Sequence, residues 1–380
     1  MAVNTPDPTR ILSVQSHVVS GFVGNRSATF PLQLLGWDVD VANTVQFSNH
    51  TGYGRWGGLR FDAAHLQDLF DGLEKNGLLR YSRMLTGYMP SAAVVETVLK
   101  LVKKLRARQA PDSRDGGLIY LLDPVMGDMG RGMYVAPEVL PIYQQMLPYS
   151  TIITPNQFEA QTLTGIQITD LASLQQVLLS LHNTHKVPHV IITSVELPSD
   201  DLTRIGASSS LPDGRPAMLQ IGSSCTVHLD DNGNRISPGI ATDQLEMWMI
   251  QFPEVQGYFS GVGDMFAALT LGRFRPEDLE YSSTAADASQ KPITPIARAS
   301  ELAIASLQGI LKNTCRVIES LESQSEQQKL QDQQKQEKEK DQLDEAQKRV
   351  DTMRVRELRV VQSKSEIENP SIVYRAKWLP

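Results

Sequence analysis

The segment GYFSGVGDMFAALTLGRF (257–274) carries the densest chemistry in the chain. An apolar run ends at a turn that needs glycines, and an apolar helix follows at once. Gly261 and Gly263 let successive backbone N–H groups point outward, and the start of the new helix adds its positive dipole end. Gly261, Val262 and Gly263 therefore form a candidate anion hole. Asp264 falls in the first helical turn, placed to accept a proton from a hydroxyl held near a bound phosphoryl group. Transfer of a γ-phosphoryl group asks for positioning and charge neutralisation more than for covalent help, so the arrangement suits transfer to an alcohol. The same residues also make an ordinary tight strand-to-helix turn with Asp264 as its cap.

A second cluster is TPNQFEAQTLTG (154–165). Pro155 presets a turn, Asn156 caps a helix, and Glu159 three residues later completes a capping box. Read for chemistry instead, Asn156 and Glu159 sit on one helical turn where two oxygen ligands can hold hydrated Mg2+ against nucleotide phosphates, with Asp123 as a third hard-oxygen group. DPVMGDMGRGMYV (123–135) continues from Asp123 through Gly127, Asp128, Gly130 and Gly132, a flexible stretch suited to closing over phosphates. A third cluster pairs SVQSHVVSGFVGNRSATFPLQLLG (13–36) with VQFSNHTGYGRW (45–56). Its small hydroxyls, amide and histidine lie near Phe47, Tyr53 and Trp56, a set that can recognise a polar aromatic ring by stacking and a few directed hydrogen bonds. Equally, these are polar loops beside an aromatic patch. His182, His185 and His189 lack a fixed acidic partner and read as surface histidines rather than metal ligands.

These groups need elements to bring them together. Short apolar, β-branched runs at 10–16, 39–47, 83–88, 117–125, 150–156, 189–194 and 255–261 read as strands. Between them, 91–108 and 169–182 have helical periodicity, the second with Thr169 as N-cap. Such alternation implies βαβ units, and hence an α/β fold whose mostly parallel sheet is covered by helices on both faces. Ligands of open α/β sheets bind outside the carboxyl ends of the strands. The residues closing the runs all fall at that edge: Ser16, Phe47 to Thr51, Thr86 to Tyr88, Asp123, Thr154 to Asn156, Thr193, Ser194, and Gly261 to Asp264.

Residues 199–224 and 281–295 are rich in Ser, Ala, Pro and Gly and read as surface insertions. From 322 to 349 the chain is dominated by Gln and charges of both signs, with Leu330, Leu343 and Ala346 making no heptad seam; it reads as a solvated helix or a disordered insertion. The whole of 1–380 then reads as one domain, with this insertion at about 319–350 and a C-terminal edge segment, 353–380, in which 355–363 looks like a further strand.

Thirty-six basic residues against 43 acidic ones give a net charge of −7, which disfavours nucleic acid or an anionic membrane as the general partner. Two cysteines, Cys225 and Cys315, exclude a disulfide framework and fit a reducing compartment. With a polar N-terminus and no apolar run of about 18 residues, the cytoplasm is the expected location, with access to the nucleus open. Metalloprotease, P-loop and nucleophile-elbow motifs are absent from the sequence.

Taken in order, QSHVVSGFVGNRSATFPLQLLG, VQFSNHTGY, LTGY, DPVMGD, ITPNQFEA, ITS and GVGD resemble the pyridoxal kinases of the ribokinase-like superfamily, and the terminal ELRVVQSKSEIENP resembles that family's closing segment. The resemblance implies ATP-dependent phosphorylation of the 5′-hydroxymethyl group of pyridoxal, pyridoxine and pyridoxamine. It implies Asp264 as catalytic base and Gly261, Val262 and Gly263 as anion hole. Ser16, Thr51 and Tyr88 match vitamer contacts, with Val23, Phe47 and Trp56 as pocket neighbours. Asp123 and Thr154 match positions near an activating monovalent cation such as K+. Asn156, Glu159, Thr193, Ser194 and the lid residue Tyr134 match nucleotide and Mg2+ contacts, and Asp128 shares the lid segment. A homodimer with one site per subunit is implied too. One departure stands out: the family's Gly-Thr-Gly-Asp is here Gly-Val-Gly-Asp, so Val262 removes a hydroxyl donor and implies a slower kinase. A hydroxymethylpyrimidine-type vitamin kinase shares the Gly-x-Gly-Asp logic but matches VQFSNHTGY less well. A degenerate carrier of pyridoxal or its phosphate draws support from Val262 alone.

Overall fold

The computed structural model describes residues 7–108, 117–229, 235–236, 239–276, 291–333 and 345–380. The chain opens on β1 (Asp7–Val18), α1 (Asn25–Leu34) and β2 (Asp38–Phe47), then adds the short β3 (Gly58–Arg60). α2 (Ala63–Lys75), β4 (Tyr81–Thr86), α3 (Ala92–Ala107) and β5 (Ile119–Leu122) lead to a small hairpin, β6 (Gly127–Asp128) with β7 (Gly132–Met133). α4 (Leu140–Met146), β8 (Ile152–Ile153), α5 (Gln157–Thr164), α6 (Leu171–Leu179), β9 (His189–Ile192), α7 (Ser199–Arg204) and β10 (Ala217–Ser224) follow. A second hairpin, β11 (His228–Leu229) with β12 (Arg235–Ile236), precedes β13 (Met247–Pro253) and α8 (Val262–Arg273). The long α9 (Pro295–Gln333), α10 (Glu345–Val355), α11 (Lys364–Glu368) and β14 (Lys377–Trp378) complete it.

Ten strands make one sheet in the order β14-β13-β10-β9-β8-β5-β4-β1-β2-β3. From β9 across to β2 every pairing is parallel, while β10, β13, β14 and β3 are added antiparallel at the flanks. Side chains that alternate along each strand feed two separate cores. Leu12, Val14, Met84, Tyr120, Leu122, Val190 and Ile192 join one, packed beneath α3 and α6. Ile11, Leu85, Leu121, Ile152, Ile191 and Trp248 join the other, beneath α1, α8 and α9. Both faces of the sheet are thus covered, as the strand-helix alternation implies.

Several boundaries depart from the sequence reading. The strand expected at 255–261 lies instead at Met247–Pro253, where MWMIQFP pairs with β10 along its whole length; 255–261 is a loop. The supposed insertion at 199–224 contains α7 and the interior strand β10. Its Gly and Ser content serves packing: a Cβ at Gly222 would stand 2.0 Å from the Trp248 ring. No strand forms at 355–363. Leu358 and Val360 are buried in the helical core, and the edge strand is Lys377–Trp378, so burial has overridden the β-branched propensity of that segment. Asp170, not Thr169, caps α6, its carboxylate accepting from Ser173 N at 2.7 Å. His182 is fully buried rather than on the surface, its ring bridging Val187 O and Ser223 Oγ. Residues 281–290 and 334–344, parts of the two other proposed insertions, lie outside the described residues.

Candidate active site

The parallel strands β1, β4, β5, β8 and β9 all end on one edge, and the loops leaving them gather there. After β1 the chain turns at Gly24, whose N–H donates to Asp264 Oδ2 at 2.8 Å. After β5, Asp123 N donates to Thr86 O at 2.9 Å; after β8, Thr154 N donates to Leu122 O at 3.2 Å; after β9, Thr193 N donates to Pro155 O at 2.9 Å. The loops after β5, β8 and β9 are each pinned by a neighbour's backbone and the loop after β1 by the Asp264 carboxylate, which makes this edge a rigid platform.

Asp264 lies in the first turn of α8, behind Gly261 in the left-handed conformation (φ 81). Only glycine suits that position: a Cβ there would stand 1.9 Å from Phe22 O. Ser27 Oγ donates to Gly261 O at 3.0 Å and holds the turn against α1. Burial raises the proton affinity of Asp264 and the Gly24 N–H opposes it. The net rise suits a group that must accept a proton and later release it. At Gly263 the turn is exposed, so the free N–H end of α8 faces solvent beside that carboxylate.

Asp123, Glu159 and Asp264 form the charged floor. Asp123 is held well above the usual carboxylate range, first by burial and then by the negative charges of Glu159 and Asp264, with the Thr154 hydroxyl acting the other way. Burial likewise pushes Glu159 up to about 7, opposed by the amides of Met126, Asn156 and Gly127. Both oxygens of Glu159 are engaged: Oε1 accepts from Met126 N at 2.9 Å and Oε2 from Asn156 N at 3.0 Å, while Asn156 Oδ1 accepts from Glu159 N at 2.9 Å. The capping box at 156–159 is therefore real, and it also ties the base of the β6–β7 hairpin, since Asn156 Nδ2 donates to Gly127 O at 2.9 Å. Carboxylates that raise one another's proton affinity are stabilised by a cation, and oxygen donors of this kind fit Mg2+ or a monovalent ion. Among the described residues, no three acidic, His or Cys side chains enclose an ion by themselves. Phosphate oxygens and water must complete any shell around Asp123.

Beside this floor opens a cleft of about 340 Å³. Its polar end holds Asp128, Thr193, Ser194 and Gly263, and its wall is apolar, including Phe252, Val255, Phe259, Phe266, Leu307 and Leu311. That combination suits a flat base bound by apolar contact with its phosphates at the helix end. Sequence reasoning missed the wall, because α9, the end of β13 and the 254–259 loop contribute only unremarkable apolar residues. Val262 also lines the cleft and packs against the core beneath α1, α8 and α9. Tyr134 is 46% exposed on the hairpin, with Asp128 beside it, and Arg131 stacks over the Tyr258 ring at 4.1 Å, resting the hairpin on the far lip of the cleft.

On the other side of Asp264, Val23 and Tyr88 pack against Val18, Val45 and Phe47, and the Trp56 ring lies 6.4 Å from that of Phe47 at 47°. Ser16 abuts Gly24, the residue bonded to Asp264. Thr51 is exposed at the start of the Thr51–Tyr53 turn, next to His50, whose Nδ1 lies 3.2 Å from Ser260 Oγ. An aromatic-sided recess and an apolar cleft thus meet at one carboxylate.

The family model described as phosphomethylpyrimidine kinase matches residues 79–226. The pyridoxal kinase of Ovis aries is 35% identical over 376 residues, covering 97% of this chain and 98% of that protein. The pyridoxal kinase of Arabidopsis thaliana is 34% identical over 376 residues, covering 98% and 95%. The chain belongs to the pyridoxal kinase family. It shares the ribokinase-like fold of the Leishmania donovani pyridoxal kinase in complex with ADP and pyridoxamine, at a TM-score of 0.68 and 28% identity over 98% of this chain and 100% of that one. Members of this family are kinases, and so is this chain. Full-length similarity to pyridoxal kinases outweighs the partial match to the phosphomethylpyrimidine model.

Proposed function

We propose that the protein transfers the γ-phosphoryl group of ATP to the 5′-hydroxymethyl group of pyridoxal, pyridoxine and pyridoxamine. The observation that carries this is the position of Asp264, half-buried between an aromatic recess and a nucleotide-sized cleft, in the first turn of a helix whose N–H end is open. The acceptor hydroxyl oxygen forms a bond to the γ-phosphorus as the bond to the bridging oxygen of ADP breaks, and the hydroxyl proton passes to the Asp264 carboxylate. Gly261 to Gly263 present backbone N–H groups to the charge on the moving phosphoryl group. Tyr88, Val23 and Phe47 hold the vitamer ring, Ser16 and Thr51 supply hydroxyls at its rim, and Thr193, Ser194 and Asp128 face the nucleotide.

A Mg2+ ion would neutralise phosphate charge next to Asp123, and a monovalent cation such as K+ would lie near Asp123 and Thr154. Asn156 and Glu159 hold the hairpin base on which that geometry depends. Homodimerisation and a cytoplasmic site of action belong to the same proposal; two unpaired cysteines support a reducing compartment.

The test is phosphate transfer from Mg·ATP to pyridoxal, read by the absorbance of pyridoxal 5′-phosphate, in wild type and Asp264→Asn. The variant should keep its fold and nucleotide affinity while turnover drops by about 10²-fold or more, the range for losing a positioned base. Wild-type turnover in Asp264→Asn overturns the assignment.

A further inference from the structure

One carboxylate outside the phosphoryl-transfer centre is tied to two of the loops that build the vitamer side of it, the loop after β1 and the Thr51–Tyr53 turn. Glu357 Oε1 accepts from Tyr53 OH at 2.9 Å and faces His50 Nε2 at 3.2 Å. Its Oε2 accepts from Phe22 N at 3.2 Å. These partners lie 335 and 304 positions away in sequence, so the contacts are purely tertiary. The carboxylate is seated on backbone, since a Cβ at Gly21 would stand 2.5 Å from Oε1. Burial alone would raise its proton affinity, but the bonds from His50, Tyr53 and Phe22 outweigh that and hold it below the ordinary value, so it is charged at neutral pH.

The three contacts converge on residues already placed at the site. Phe22 and Gly21 belong to the loop that ends at Gly24, the donor to Asp264. Tyr53 closes the turn that Thr51 opens. His50 reaches on to Ser260, the residue before the glycine turn of α8. Glu357 itself is held from below: Leu358 and Val360 drop into the core, while α10 buries none of its own residues and meets the Thr51–Tyr53 turn through Arg349 Nε on Gly52 O at 2.7 Å. A charge-assisted bond of this kind, 15% exposed, fixes geometry far better than solvated contacts do.

We propose that Glu357 is a positioning residue for the phosphoryl acceptor, clamping the loop after β1, the Thr51 turn and, through His50 and Ser260, the anion-hole turn into one arrangement. It touches neither substrate, and its direct partners Phe22, His50 and Tyr53 lie on the vitamer side, none of them lining the nucleotide cleft. The proposal rests on the phosphotransfer reading for the identity of the ligand.

The experiment measures pyridoxal and ADP affinities by calorimetry, and turnover alongside, for wild type, Glu357→Ala and Glu357→Gln. Pyridoxal affinity should fall about tenfold in Glu357→Ala, as expected for losing hydrogen bonds to a buried charge, with ADP affinity within about twofold of wild type. Glu357→Gln, which keeps the volume but only one of the two acceptor oxygens, should fall between, and it carries the test if the alanine variant does not fold. A merely structural role would weaken both ligands together or lower only the melting temperature; either result, or unchanged pyridoxal affinity in both variants, overturns the proposal. Wild type that binds pyridoxal without transferring phosphate sinks the phosphotransfer reading and leaves the clamp standing. Wild type that binds no pyridoxal sinks both.

Discussion

Gly261→Ala is the sharpest probe of the anion-hole turn. The added Cβ would stand 1.9 Å from Phe22 O, and ordinary van der Waals contact begins at 3.4 Å, so one backbone must retreat by 3.4 − 1.9 = 1.5 Å. Phe22 is held by Glu357, and Gly261 by Ser27 and by the start of α8, so neither side can move alone. The left-handed conformation (φ 81) adds about 1–2 kcal/mol for a residue with a Cβ. A misplacement of about 1 Å at reacting groups costs about 10²-fold in rate. Turnover in the pyridoxal assay should therefore fall by about 10²-fold or more, with a lower melting temperature. Gly263→Ala meets no atom within 4 Å of its Cβ, so its melting temperature should stay near wild type. Full turnover in Gly261→Ala would refute the claim that this turn aligns the phosphoryl group with Asp264.

Val262→Thr places a hydroxyl at the lip of the cleft, beside the N–H end of α8, and turnover should rise, by up to about 10²-fold if the new donor acts mainly on the transition state; unchanged turnover removes Val262 as the handicap. The His182 contribution to stability should fall on acidification below about pH 6.5. Burial lowers His182 from 6.5 to about 4, so between those values the unfolded chain binds a proton that the folded one does not, and stability is lost as pH falls through that window. Measured against pH, the melting temperature of wild type should fall relative to that of His182→Gln as pH drops from about 6.5 to about 4. An equal slope in the variant would assign the acid sensitivity elsewhere.

Motif order along the chain was enough for the family, the mostly parallel sheet and the site edge, because apolar alternation and strand-ending polar residues are local signals. Asn156 with Glu159 and the Gly261–Asp264 turn were legible for the same reason: capping and left-handed turns are written in adjacent residues. Other features depended on partners distant in sequence. Strand β10 was hidden because its Gly222 is small for the sake of Trp248, and 355–363 read as a strand although Leu358 and Val360 are claimed by the helical core. The apolar cleft wall is assembled from β13, α8 and α9, and its apolar residues Phe252, Phe266, Leu307 and Leu311 belong to no motif. Glu357 looked like one charge among many beside a charged, Gln-rich stretch, and only folding brings it onto Phe22, His50 and Tyr53. The sequence by itself determined which chemistry is present and at which edge of the sheet. Tertiary structure decided how those groups are held, because hydrogen bonds and steric contacts across hundreds of residues leave no periodic trace in the chain.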